Sequence, residues 1–194
     1  MTARKPDHPV EDLFVKRWSP RSFDRSDMPE ADLRTILEAA RWAPSAFNLQ
    51  PWRFVYARRG DADWQVLVDL LNPFNREWAR HASALVYLFS DTEVDGKDGK
   101  PNRANGAHVF DAGSAWTHAA LQASMLGYHS HGMAGILKDE IRGKLGVPER
   151  YQPHIAIAIG RRGDVADLPE DLQAREIPSN RKPLEEIAFA GAWG

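Results

Sequence analysis

The chain predicts an α/β or α+β domain rather than a helical bundle, on three observations. Helical and strand-like segments alternate along it. Two short apolar runs, Ala84-Leu85-Val86-Tyr87-Leu88-Phe89 and Ile155-Ala156-Ile157-Ala158-Ile159-Gly160, have the length and composition of buried strands. The 194 residues suffice for one well-buried core, so residues 1–194 are read as a single domain. There is no internal repeat and no low-complexity tract.

Taken in order, a first helix is expected from about Glu11 to Trp18. A second, near Pro29 to Trp42, carries Leu33, Ile36, Leu37 and Ala40 at helical spacing. Pro29 suits its first turn, and Glu30 and Asp32 lie near the positive end of its dipole. Pro44 biases Ala43 away from helix, and after the loop that follows, Arg53 to Ala57 is strand-like. Trp64, Leu67, Val68 and Leu71 mark another helix, closed by Asn72-Pro73. Between Ser90 and Gly106 the chain turns to Asp, Gly, Lys and Asn, which predicts a mobile surface loop or lid. The longest helix is expected from His108 to Leu126, with Val109, Ala112, Trp116, Ala119, Ala120 and Ala123 on one face and Gly127 placed to end it. Its small residues permit close packing at the centre of the domain. The tail from Leu184 to Trp193 is too apolar to lie in water, so it is expected to dock on its own body or on a partner.

Composition removes several functions. A net charge of −2 and a pI near 6.4 give no basic field for nucleic acid or an anionic membrane. The absence of cysteine excludes disulfides, iron–sulfur clusters, thiol nucleophiles and the usual structural zinc sites. No run approaches the ~20 apolar residues of a membrane span, and no long apolar run follows Met1-Thr2-Ala3-Arg4, so a soluble cytoplasmic protein is expected. Neither a Gly-x-Gly-x-x-Gly after a strand, nor a phosphate-binding Gly-x-x-x-x-Gly-Lys-Ser/Thr, nor a Gly-x-Ser-x-Gly occurs. His129-x-His131 could bring two imidazoles to one side of an extended segment, but with no acidic third ligand nearby they are read as ordinary hydrogen-bonded histidines, not as a metal site.

Three stretches do suggest chemistry. Pro44-Ser45-Ala46-Phe47-Asn48-Leu49-Gln50-Pro51-Trp52 sets hydroxyl, amide and backbone groups on a stiff, proline-bounded loop after a clean helix. In Lys16-Arg17-Trp18-Ser19-Pro20-Arg21-Ser22-Phe23, the alternation of Arg17, Ser19 and Arg21 puts two guanidinium forks and a hydroxyl on one face of an extended segment. Such a face suits a phosphate and a carbonyl-rich ring, and Arg181-Lys182 offers a second cationic point. His131-Gly132-Met133-Ala134-Gly135-Ile136 has two glycines three apart, which let backbone approach a flat ligand. Each cationic cluster alone is more often a solvated face; with the loop, a binding site is the better reading.

The segment around Arg17 and the loop after Pro44 resemble the flavin-binding signature of the nitroreductase family, and the glycine turn and C-terminal arginine follow in that family's order. The resemblance implies a three-layer α-β-α fold of the α+β class, with a central, mostly antiparallel sheet and a C-terminal segment exchanged in a homodimer. It implies flavin mononucleotide (FMN) at the dimer interface: Arg17, Ser19 and Arg181 on the phosphate, Arg21 on the pyrimidine edge, and Pro44, Ser45 and Asn48 lining the flavin of the other subunit. Trp18, Ala46 and Gln50 lie in the same segments, and Asn75 matches, more loosely, a family asparagine on the ring's polar edge. The backbone amide of Ala134 would face the flavin N5, with Met133 and Gly135 beside it. Ser179 stands where some relatives carry a lysine, so the phosphate pocket is expected to lean on Lys182 or to be weaker; Ala134 stands where many members have an acidic residue or threonine, and the loop after Ser90 is short. The implied function is two-electron reduction of a nitroaromatic, quinone or related small-molecule acceptor by NADH or NADPH in ping-pong fashion, with the flavin carrying the chemistry. A non-catalytic flavin-binding or sensing module, and a reductive dehalogenase on the same scaffold, are the alternatives.

Overall fold

A computed structural model describes residues 4–193; residue 194 and the first three residues of the stretch read above for a secretory signal lie outside that range. Helices α1 (Asp12–Lys16) and α2 (Glu30–Arg41) precede strand β1 (Trp52–Arg58), then come α3 (Trp64–Asp69), α4 (Pro73–Ala79) and β2 (Ala84–Asp91). A small pair, β3 (Glu93–Val94) and β4 (Arg103–Ala104), leads to α5 (His108–Met125), β5 (His129–Met133), α6 (Lys138–Leu145), β6 (Tyr151–Gly160) and α7 (Glu170–Gln173).

The two apolar runs become β2 and β6, the central strands of a four-stranded sheet ordered β1-β2-β6-β5, in which every pairing is antiparallel. Strands covered on both faces read as unbroken apolar runs, because the two-residue alternation then has no polar side. Leu85, Tyr87, Phe89, Ala156 and Ala158 pack on one face with Leu67 and Val68 of α3, Trp78 of α4, Ile141 of α6 and Leu172 of α7. Ala84, Val86, Leu88, Ile157 and Ile159 pack on the other with Leu33, Ile36 and Ala40 of α2 and the alanine row of α5. The result is the three-layer α-β-α architecture of an α+β protein.

Three local expectations are corrected. The buried face of α5 is Asp111, Ala112, Ala115, Ala119, Ala120 and Ala123, whereas Val109 is exposed. Asn72-Pro73 opens a helix as well as closing one: Asn72 Oδ1 accepts from Asn75 N at 2.9 Å and Pro73 occupies the first helical position. The segment from Ser90 to Gly106 is not simply a loose loop. β2 runs on to Asp91, the β3–β4 pair closes a hairpin, and Arg150 holds its base through Asp91 at 2.6 Å and Asp95 at 3.0 Å.

Among the described residues, the tail meets its own body only at the N-terminal segment, where Leu184 and Ile187 share a groove with Pro6, Val10 and Phe14, and every residue from 184 to 193 stays exposed. It makes one 3-10 turn at Leu184–Glu186, donates Leu184 N to Asp7 Oδ2 at 3.0 Å, and sets the Phe189 ring 5.2 Å from that of Trp193, tilted by 47°. Ile187 remains exposed and Trp193 is 91% exposed.

Candidate functional site

Arg17, Ser19 and Arg21 share one pocket of about 290 Å³, and the C-terminal segment folds back to bring Arg181 into it, with Arg4 and Arg175. Arg4 ties the walls together, donating to the carbonyls of Val15 (2.7 Å), Arg17 (2.8 Å) and Ser179 (2.8 Å). Five arginines thus line the pocket, and among the described residues no carboxylate does. Burial first, then the charges of Arg181 and Arg4, push the Arg17 guanidinium below its ordinary value; Arg21 is lowered by burial and then by Arg175. Half-buried cations that repel one another are stabilised by an anion placed between them. Arg21 Nε is itself buried without a partner among the described residues.

The buried Glu176 carboxylate accepts from Arg21 N (2.8 and 3.0 Å), Ser22 N (2.9 Å) and Ser22 Oγ (2.8 Å), so its hydrogen bonds hold the backbone of the cationic segment while its charge only partly offsets the lowering of Arg21. Sequence reasoning missed this residue, and no periodicity around it would have marked it. Trp18 is buried beneath the segment, edge-on to His129 at 6.2 Å and covered by Arg162 at 5.4 Å. Lys182 departs from expectation. Next to Arg181 but outside the cationic pocket, it lines the adjoining groove and reaches Glu186 at 4.0 Å.

β5 connects the pocket to the glycine turn. His131 Nδ1 lies 2.9 Å from Pro20 O, its ring is 4.8 Å from Trp78 of α4, and Arg21 stands over the same indole at 5.9 Å. At the end of the strand Met133 points into the core, so only its backbone is available to a ligand, while Ala134 is exposed. The N–H groups of Ala134 and Gly135 find no acceptor among the described residues. Gly135 O accepts from Asn72 N (3.1 Å) and from the buried Asn75 Nδ2 (3.1 Å). Glycine at 135 has a further reason within the fold: an added Cβ would clash with Asn72 Nδ2 and lie 2.6 Å from Asn75 Nδ2, so the missing side chain makes room for the asparagine pair. Gly135→Ala should displace both side chains and lower stability by about 1–3 kcal/mol. A thermal melt matching the parent would show that the asparagines are not held there.

The loop after Pro44 is stitched by its own polar groups. Ser45 Oγ accepts from Gln50 N (3.0 Å), Gln50 Nε2 donates to Asn48 O (3.0 Å), and Ala46 N donates to Asp111 Oδ2 (3.2 Å), a buried carboxylate on α5 that sequence reasoning also missed. Phe47, Asn48 and Gln50 all have positive φ, at 51°, 56° and 47°. Such left-handed residues cost about 1–3 kcal/mol each, and clusters of them belong to functional segments more often than to plain turns. Phe47 stands 91% exposed at the tip, and Phe110 beside Asp111 is 84% exposed. No residue of Pro44–Asn48 lines the arginine pocket of the same chain.

The chain is thus an antiparallel α-β-α sandwich of the α+β class, with an arginine-lined pocket and, further along β5, a turn with unbonded amides. The chain belongs to the nitroreductase family, whose family model matches residues 14–161. It is similar to a solved structure described as an oxidoreductase containing FMN, at 48% identity and a TM-score of 0.96, covering 98% of this chain and 96% of that one. A nitroreductase family protein from Streptococcus pneumoniae superposes with a TM-score of 0.71 at 25% identity, over 92% and 98% of the two chains. An NADH dehydrogenase of Thermus thermophilus is 28% identical, over 97% of this chain and 99% of its own.

Proposed function

We propose that the protein is a cytoplasmic, FMN-dependent oxidoreductase, residues 1–194 forming one domain of a homodimer, in which NADH or NADPH supplies the electrons that reduce a small acceptor such as a nitroaromatic or a quinone. The observation that carries this reading is the pocket of five arginines, lined by no carboxylate among the described residues, in which Arg21 Nε is buried without a partner among them. A terminal phosphate answers the charge, and a ring carbonyl or nitrogen answers Arg21. FMN fits both and, when bound, supplies a centre that accepts and gives up hydride.

The residues then divide the work. Arg17, Ser19 and Arg181 would hold the phosphate, Arg21 would meet the pyrimidine edge of the ring and stabilise negative charge there, and the backbone N–H of Ala134 would be available to the flavin N5. Asn75 keeps that turn in place through Gly135 O. The loop from Pro44 to Gln50, strained and tipped by exposed Phe47, reaches the flavin of a second copy; its absence from its own chain's arginine pocket supports that assignment. The exposed tail crosses in the same way. Among the described residues no helix is long and apolar enough to cross a membrane.

The purified protein is expected to be yellow, to bleach on anaerobic mixing with NADH or NADPH, and to give parallel double-reciprocal lines, since donor and acceptor take turns over one ring face. A colourless protein that gains no colour with added FMN would overturn the reading. A yellow protein that neither nicotinamide bleaches is instead a binding module, and intersecting lines with a ternary complex would remove the ping-pong mechanism.

A further inference from the structure

Ser90 is fully buried on β2, and its hydroxyl lies between two imidazoles: Oγ is 2.7 Å from His108 Nδ1 and 2.6 Å from His154 Nε2. The two rings are 5.9 Å apart and tilted by 38°. His154 reaches this position through a register break. Leu88 pairs with Ile155, but Phe89 pairs with Pro153, so His154 is the unpaired residue of a bulge, which turns its side chain toward Ser90 and the start of α5. Bulges are concentrated beside functional sites, where they re-aim a single side chain.

We infer that His108, Ser90 and His154 form a proton relay that supplies the proton needed when the bound acceptor takes up hydride. The inference rests on the oxidoreductase reading above for its role, although the relay itself does not depend on it. A hydroxyl has one proton and can donate to one ring while accepting from the other. With neutral rings the chain therefore has a direction, and moving one proton along each bond reverses it without creating net charge. His154 Nδ1 and His108 Nε2 carry no hydrogen bond among the described residues and are the two ends.

Position selects the delivering end. Met133 and Ala156 are the last paired residues of β5 and β6, so His154 and the turn that carries the unbonded Ala134 and Gly135 amides both lie just beyond the same end of that pairing. His108 lies one helical turn before Asp111, which holds the Pro44 loop. When the acceptor gains hydride, its oxygen takes the proton of His154 Nδ1. His154 Nε2 takes the proton of Ser90 Oγ, Oγ takes that of His108 Nδ1, and water protonates His108 Nε2. The acceptor thereby gains two electrons and two hydrogens, and each ring ends in its other tautomer.

The acids beside the chain are already engaged. Asp91, next to Ser90, is engaged by Arg150, and Asp111 by Ala46 N. Burial, then His108, then Lys138 at the start of α6, lower the His154 pKa and favour an uncharged ring.

Long-range ¹H–¹⁵N spectra of the histidine rings and the isolated acceptor half-reaction test the relay together. In the parent protein near neutral pH both rings should show the same tautomer, both protonated at Nδ1 or both at Nε2. Ser90→Ala should uncouple them and slow the acceptor half-reaction at least about ten-fold more than the donor half-reaction, within the range of general acid catalysis. Ser90→Thr, which keeps a hydroxyl, should restore both. Opposite tautomers in the parent, ring spectra untouched by Ser90→Ala, or a rate loss shared equally by the two half-reactions and not rescued by threonine would each overturn the relay. Coupled tautomers in a protein that binds no flavin would uphold the relay and sink the oxidoreductase reading. Uncoupled rings in a yellow, active protein would do the reverse.

Discussion

Deletion from Leu184 onward is expected to abolish the dimer and flavin binding together. Ile187 and Trp193 are exposed on the single chain, and the tail holds to its own body only at the N-terminal segment, through the Leu184 N to Asp7 contact and the groove shared there. Burying a large apolar side chain is worth roughly 1.5–3 kcal/mol, so docking Leu184, Ile187, Phe189 and Trp193 on a partner would supply several kcal/mol to the association. The strained Pro44 loop and exposed Phe47 and Phe110 would lose their cover in the same step. Obligate dimers often lack a stable folded monomer, so an insoluble product fits the expectation. Sedimentation and absorbance of the truncated protein check it: a soluble, yellow monomer would show that the tail neither bridges subunits nor supports the site.

Arg17→Ala or Arg181→Ala should each weaken FMN binding about ten- to a hundred-fold, the equivalent of losing one charge-assisted contact of about 1.5–3 kcal/mol. Both guanidinium groups line the arginine pocket, and Arg181 is among the charges that disfavour Arg17 in the free protein. Riboflavin, which lacks the phosphate, should lose little. Fluorescence titration of each variant with both flavins therefore reads the ratio, which damage to the fold would leave unchanged. Equal losses for the two ligands, or none, would mean that the phosphate lies elsewhere.

Much of the fold was legible in the chain. The two apolar runs lie within β2 and β6, the periodic row Leu33, Ile36 and Ala40 is the buried face of α2, and Gly127, at φ 78°, stands just past the end of α5. These are local features: periodicity and turn chemistry act over a few residues, and packing did not override them. Where local chemistry was ambiguous it misled. Asn72-Pro73 serves equally well as an ending or a beginning, and the polar stretch after Ser90 became a hairpin because Arg150, some sixty residues further on, pins it at Asp91.

The site divides along the same line. Residue type and spacing alone marked Arg17, Ser19 and Arg21 as one face, and marked the Pro44 loop and the Gly135 turn as unusual. Folding decided which groups meet. It brought Arg181 across more than 160 residues of sequence to Arg17, turned its neighbour Lys182 toward a different groove, and placed Glu176 under the backbone of Arg21 and Ser22. It also set His154 beside Ser90 through a one-residue bulge. Pattern within a segment is controlled by backbone geometry, which repeats every two or 3.6 residues and can be counted. Contact between segments is controlled by how layers stack and by which polar groups would otherwise be stranded in the core, and that is determined only when the whole chain packs at once.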